Sequence, residues 1–347
     1  MNTEYGMKTD TPVISVAMPV FNAENYIQSA IDSILNQTYR NFELIVVNDA
    51  STDRSREIIL TFNDPRMRYE ENPSNLGIAK TRNKCVQLAR GKYIAVLDND
   101  DIARPDRLEM QIRFLEAHKE FGVCGSFYEV IDEKGIVVSR MKVPVTDREV
   151  RTYLLFDNCF CNSTIMIESE LLKERKYDEE FDMIEDYYFL YSISKFKKLY
   201  NLPLYTTQYR IHGKNTSIQK LEGMRKLRSK MDRIVLKDHQ IPFSEEEFDL
   251  HTNFVNGNLE HFRTPDQISK LEHWLLKLFQ MLESDKTYDM DLVKRIFIRR
   301  WILLFRRNKS SSYKVIFNDL FKKFRLKYLT VFFHLLIEKY TLMRSKA

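Results

Sequence analysis

The run Tyr93-Ile94-Ala95-Val96-Leu97 is apolar throughout and stops against Asp98-Asn99-Asp100-Asp101. A short apolar run that ends in a polar cluster reads as a strand covered on both faces, the usual state of a strand in a parallel sheet. Three carboxylates within four residues repel one another unless a cation lies among them. In open α/β sheets, ligands bind at the carboxyl ends of the strands. Two readings stand at this point: a hard divalent ion holding a phosphate, or a solvated acidic turn.

The preceding chain repeats the theme. Val13–Phe21 is apolar nearly throughout and predicts a first strand. Pro19 lacks a ladder donor, which predicts that the chain leaves the sheet there. Asn22 is a suitable N-cap for a helix carrying Ile27, Ala30, Ile31, Ile34 and Leu35. Phe42–Val47 predicts a second strand, followed by a helix with Ile58, Ile59 and Phe62. Arg66–Tyr69 predicts a short third strand. Asn72–Gly77 reads as a turn, and Ile78–Ala89 as a helix closed by Gly91.

Such alternation implies parallel β-α-β units with right-handed crossovers. No Gly-x-Gly-x-x-Gly follows the first strand and no Gly-Lys-Ser/Thr loop occurs, which argues against dinucleotide and P-loop folds.

After Asp101 the pattern changes. A helix is expected from Pro105 to His118, and strands at Val123–Ile131 and Ile136–Met141. Further expectations are a helix over Arg148–Phe156, a strand at Ser163–Ile167, a helix over Asp186–Lys195 and an extended Tyr200–Ile211. Beyond about Ser217 the periodicity is helical. The expected organisation is a disordered 1–11, an α/β domain over 12–217 and a helical, basic extension over 218–347. Within the domain, the change of pattern divides 12–101 from 102–217.

Charge is unevenly placed. Residues 294–347 hold 15 Lys/Arg against two acids, or +13; the whole chain is +5, which leaves −8 on residues 1–293. A basic tail on an acidic body predicts an anionic partner. Cys85, Cys124, Cys159 and Cys161 fit neither a zinc pattern nor a disulfide framework. Met1–Asp10 has no apolar core of a secretory signal, and no run reaches the length of a membrane span.

Several blocks stand in a fixed order: Ser15-Val16-Ala17-Met18-Pro19-Val20-Phe21-Asn22, Val47-Asn48-Asp49-Ala50-Ser51-Thr52-Asp53, Asn75-Leu76-Gly77, Arg82-Asn83, Leu97-Asp98-Asn99-Asp100-Asp101, Glu185-Asp186 and Tyr209-Arg210-Ile211-His212. Together they resemble the family 2 glycosyltransferases over residues 12–217. The resemblance implies the GT-A fold, a mostly parallel central sheet flanked by helices, and an inverting enzyme that uses a nucleotide sugar, most readily a UDP-sugar.

It further implies that Asp49 contacts the base, that Pro19 and Phe21 flank the base or ribose, and that Glu24 and Arg82 lie against the nucleotide or its phosphates. Asp98 and Asn99 would belong to the donor site, with Asp98 on the ribose. Asp100 and His212 would hold Mn²⁺ or Mg²⁺. Asp186 would be the general base, with Glu185 orienting it or the acceptor. The family often has Gly where Ala50 stands here.

Each residue has a plainer reading. Asp49 would cap a turn, Phe21 would pack in the core, Glu24, Glu185 and Asp186 would favour helix starts, and Arg82 would pair with a nearby acid. A single His is more often structural than a ligand.

The tail mixes Arg295, Arg299, Arg300, Arg306 and Arg307 with Phe297, Trp301 and Phe305, and continues through Phe317, Phe321 and Phe324. Two readings carry equal weight: a helix lying on an anionic bilayer, and a packed helical subdomain with a basic rim. No nucleic-acid module is recognisable.

The expected function is transfer of a sugar to a growing surface glycan or lipid-linked acceptor, on the cytoplasmic side and peripheral to the inner face of the plasma membrane. The alternatives are a noncatalytic sugar-nucleotide-binding scaffold and a nucleotidyltransferase.

Overall fold

In a computed structural model of the chain, residues 11–213, 215 and 219–307 are described. The expectations for residues 1–10, for the domain boundary at 217–218 and for Phe317, Phe321 and Phe324 lie outside the described residues.

The chain divides into two compact units. One runs to Val150 and resumes over Asn158–Met224; the other takes Arg151–Asp157 and the residues from Arg225 onward.

The first unit is built on a nine-stranded mixed sheet. Strands β1 (Ile14–Val20), β2 (Phe42–Asn48), β3 (Met67–Glu71) and β4 (Tyr93–Val96) are mutually parallel, with β1 between β2 and β4. The β2 residues are all buried, as its unbroken apolar run requires. Helix α1 (Ile27–Leu35) buries Ile27, Ala30, Ile31 and Ile34, one face at helical spacing. Each of the three isoleucines contributes about 1.5–3 kcal/mol of transfer free energy.

Helices α2 (Ser55–Ile59) and α3 (Ile78–Leu88) complete the crossovers. Beyond β4 come β5 (Ile102–Ala103), α4 (Arg107–Ala117), β6 (Phe121–Ile131), β7 (Val137–Met141), α5 (Asp147–Leu154), β8 (Met166–Glu168), α6 (Ser169–Arg175), α7 (Glu185–Ser194) and β9 (Lys198–Arg210). Strand β8 joins antiparallel to β4 and β6, and β9 runs parallel to β6.

Three expectations change. The chain does not leave the sheet at Pro19, which pairs with Val47 of β2. On the other flank β4 has already ended, and the Asn99 side-chain amide donates to the Pro19 carbonyl at 3.1 Å. The missing N–H therefore falls where no neighbouring strand needs it.

Asn22 is not a helix cap. It takes φ 49° and accepts the Thr52 N–H on Oδ1 at 2.8 Å, while α1 begins five residues later. The expected strand at Ser163–Ile167 starts only at Met166, because Asn162–Thr164 form a 3-10 turn. The Ser163 hydroxyl there accepts the Asp98 N–H at 3.0 Å.

Arg107 is fully buried at the end of β4. Its Nη2 donates to the carbonyls of Val96, at 2.7 Å, and Ile165, at 3.2 Å. Burial pushes its pKa down to about 10.

The second unit is helical: α8 (Leu221–Asp238), α9 (Glu245–Val255), α10 (Pro265–Glu283) and α11 (Met290–Arg307). Capping boxes at Ser244/Glu247 and Thr264/Gln267 start α9 and α10. In α11 the aromatic residues Phe297 and Trp301 are fully buried, and Phe297 meets Phe156 and Phe254 edge-on at 5.5 and 6.2 Å between ring centroids. Over 294–304 the aromatic residues thus pack in a protein core, while Arg295 and Arg299 remain exposed.

Two opposed titrations sit in this core. Burial, with Arg300 nearby, pushes His251 down to about 3, and burial pushes Asp232 up to about 6. His251 binds its proton more readily when unfolded, so it makes stability rise with pH between about 3 and 6.5. Asp232 binds its proton more readily when folded, so it makes stability fall between about 4 and 6.

The chain's two tryptophans, Trp274 and Trp301, are both buried here and report on this unit. In urea unfolding followed by tryptophan fluorescence, His251→Gln is expected to remove the acid lability. Asp232→Asn is expected to steepen it, by at most about 1.4 kcal/mol per pH unit. Identical pH profiles for both variants and the parent would show that neither group titrates in the core.

A second expectation concerns Ala50, whose φ of 55° is left-handed. Ala50→Gly should raise stability by up to about 1 kcal/mol in urea unfolding followed by circular dichroism, and a loss would contradict strain at this turn.

Candidate active site

The acidic loop after β4 lies beside the carboxyl ends of β1 and β2, and each of its side chains has a different environment. Asp98 is half-buried. Its Oδ1 accepts from Arg82 Nη2 at 2.8 Å, and both its oxygens accept from Asn162 Nδ2, at 3.1 and 3.2 Å. Asn99 is held on the Pro19 carbonyl. Asp100 Oδ2 lies 2.9 Å from His212 Nε2 and accepts from Asn215 Nδ2 at 3.3 Å.

Asp101 is fully buried and accepts the Arg210 N–H at 2.8 Å. Burial, reinforced by Asp100 and Asp98, raises its pKa well above the carboxylate range. Its bond to β9 orders the loop. Arg210 Nε also donates to the Asp100 carbonyl at 2.9 Å, so β9 grips the loop at two points.

Asp49 is buried at the end of β2. It accepts from Asn72 Nδ2 at 2.7 Å and the Leu76 N–H at 2.9 Å on one oxygen, and from the Gly77 N–H at 3.0 Å on the other. It therefore clamps the turn that opens α3. Gly77 has φ 91°, which suits glycine alone.

Phe21 is 45% exposed, which removes the core-packing reading and leaves its ring face open beside the strand ends. Glu24 and the loop after β2 bind reciprocally: the Glu24 N–H donates to Asp53 Oδ2 at 3.0 Å, and Glu24 Oε2 accepts the Arg54 N–H at 3.2 Å.

Arg82 is the junction of the site. One Nη donates to Asp98 and the other to Glu185 Oε1, and only 11% of the side chain is exposed. Burial opposes its charge, but Asp98 and Asp186 outweigh that and raise its pKa above the ordinary value. Glu185 is buried and turned to Arg82.

Asp186, the next residue, is half-buried. It accepts from Asn158 Nδ2 at 2.9 Å and from the Tyr187 N–H at 2.7 Å. Burial, with Asp101 and Asp98 nearby, pushes the Cys161 thiol well above its usual range, which removes it as a nucleophile.

Asp98, Arg82, Glu185 and Asp186 form one electrostatic cluster, while Asp100 of the acidic loop and His212, just after β9, form a second pair. Beside His212 lies a cavity of about 210 Å³ lined in part by Asn22, Tyr26 and Glu133. Asn158, Asn162 and Arg210 join the site through contacts that depend on partners distant in sequence.

The donor set tests the metal expectation. Among the described residues no group of three or more His, Cys, Asp or Glu gathers into a cage. One carboxylate and one imidazole converge instead, at Asp100 and His212. Such a pair suits Mg²⁺ or Mn²⁺, which take the remainder of their shell from water and phosphate oxygens.

The comparisons with known proteins agree with this architecture. The profile of Glycosyl transferase family 2 matches residues 15–182. An uncharacterized glycosyltransferase of Haemophilus influenzae is 35% identical over 218 residues, 59% of this chain and 68% of that protein. The Escherichia coli UDP-Glc:alpha-D-GlcNAc-diphosphoundecaprenol beta-1,3-glucosyltransferase WfgD is 32% identical over 220 residues, 62% of this chain and 84% of that protein. The crystal structure of S. aureus TarS 1-349 in complex with UDP-GlcNAc shares the fold, with a TM-score of 0.55 at 20% identity, over 85% of this chain and 87% of that one.

The mixed sheet flanked by helices is the GT-A fold. Sequence and architecture agree that this chain belongs to glycosyltransferase family 2 and transfers a sugar from a nucleotide sugar to an acceptor.

Proposed function

We propose that the chain is an inverting, metal-dependent glycosyltransferase with Asp186 as general base. The donor is a UDP-sugar and the acceptor is a hydroxyl of a growing surface glycan or lipid-linked saccharide. The observation that carries this reading is the Arg82 bridge. It joins Asp98, at the strand ends where a nucleotide docks, to Glu185, one residue from Asp186. The UDP-Glc donor and diphosphoundecaprenol-linked acceptor in the name of WfgD support the choice of donor and acceptor.

In this reading Asp186 takes the proton of the acceptor hydroxyl as its oxygen attacks the anomeric carbon, and the nucleoside diphosphate leaves from the opposite face. One displacement inverts the centre, so no nucleophilic side chain is required. Asn158 holds one Asp186 oxygen and fixes the carboxylate plane. Asp100 and His212 would hold the divalent ion, which supplies positive charge against the departing diphosphate. Phe21, Pro19, Glu24 and Asp49 border the nucleotide, with Asp49 acting through the turn it clamps.

The test is slow donor hydrolysis in a panel of nucleotide sugars with Mn²⁺. Asp186→Asn should lower turnover about 10²–10⁴-fold and leave donor affinity near the parent value. Asp100→Asn should weaken metal-dependent donor binding about tenfold or more, and EDTA should reproduce that loss in the parent. Normal turnover in both variants would remove the assignment. Pyrophosphate release from a sugar phosphate and a nucleoside triphosphate would point to nucleotidyl transfer instead.

A further inference from the structure

The geometry points to Arg82 as a positioning residue for the base. This inference rests on the proposed role of Asp186.

A guanidinium that binds a diphosphate needs donors directed at it. Both terminal nitrogens of Arg82 are already engaged, Nη2 by Asp98 at 2.8 Å and Nη1 by Glu185. Its Nε is buried and makes no hydrogen bond among the described residues. The Tyr177 ring lies 6.0 Å from the guanidinium carbon. Two of its five N–H groups hold carboxylates on separate elements, so turning the fork toward a ligand would break a buried ion pair. Breaking one partner of such a pair leaves a buried charge uncompensated.

What Arg82 does hold is the start of α7. Glu185 is the first residue of that helix and Asp186 the second. The segment before α7 is tied to α3 as well: Asp182 Oδ1 accepts the Ala79 N–H at 2.9 Å, and Glu179 pairs with Lys80 at 3.6 Å. Between Asp182 and Glu185, Met183 has φ 86°, a conformation a non-glycine side chain keeps only when its surroundings impose it. The α3 helix therefore sets where α7 begins, and with it the direction of the Asp186 carboxylate. The planar fork of arginine spans Asp98 and Glu185 together, whereas a lysine ammonium is a point charge on a flexible stem. Asp98, the other end of the bridge, belongs to the acidic loop. Arg82 thus ties the base to the loop that faces the donor.

The experiment uses the full chain, with Arg82→Lys and Glu185→Gln as variants. Three quantities are read: turnover of a UDP-sugar, its KM, and UDP affinity by calorimetry with Mn²⁺ present. A positioning role predicts that kcat falls by about 30-fold or more in both variants while UDP affinity and KM stay within about threefold. A nucleotide ligand predicts the reverse for Arg82→Lys, with affinity lost about tenfold and kcat held, and that result would overturn the inference. So would an unchanged kcat in both variants.

Hydrogen exchange supplies a readout without turnover. In Arg82→Lys, protection should fall across residues 182–188 and hold in β1 and β2. Unchanged exchange at 182–188 would overturn the inference even if the parent chain hydrolysed no donor. Inactivity of the parent would count against the proposed function alone.

Discussion

A single buried cation organises the centre of this enzyme. Removing Arg82 from water costs several kcal/mol, and its two carboxylate partners offset that only because the guanidinium fork reaches both. The same argument runs in reverse for Glu185, which is almost wholly buried and has Arg82 as its one ionic partner among the described residues. Neither charge is stable there without the other. The consequence is geometric more than energetic: α3, the loop after β4 and the first turn of α7 meet at one point and cannot shift independently.

The rest of the first unit supplies rigid backing for that point. Asp49 fixes the turn ahead of α3 with three N–H donors, and Asp182 takes a further one. Arg210 and Asp101 fix the acidic loop from β9. Carboxylates are common at this edge, yet most are engaged by backbone or amide N–H groups. Asp100 differs, because its carboxylate meets the His212 imidazole nitrogen at 2.9 Å.

Much of the fold was legible because buried parallel strands read as unbroken apolar runs and α1 keeps its face at helical spacing. What escaped depended on partners far along the chain. Asn22 has the composition of a cap, but Thr52, thirty residues away, holds it in a left-handed turn. Ser163 has the setting of a strand residue, but its hydroxyl receives the Asp98 N–H and the backbone turns. The stripe of Phe297 and Trp301 suits a bilayer or a protein core equally well. Only Phe156 and Phe254 decide between them, and the first lies 141 positions upstream. At the site, residue types and order were visible, but not that Arg82 would be engaged at both ends.

Arg107 carries one more implication. Where β4 ends, a guanidinium from α4 donates to the Val96 carbonyl and to the Ile165 carbonyl, which also accepts the Val96 N–H at 2.9 Å. The position of Asp98 is thus inherited from a residue that follows it in sequence. A truncated chain ending at Asp101 would contain the whole acidic signature and lack the peg that fastens it. The signature and its shape are encoded in different stretches of the polypeptide, and a nascent chain acquires the first before the second.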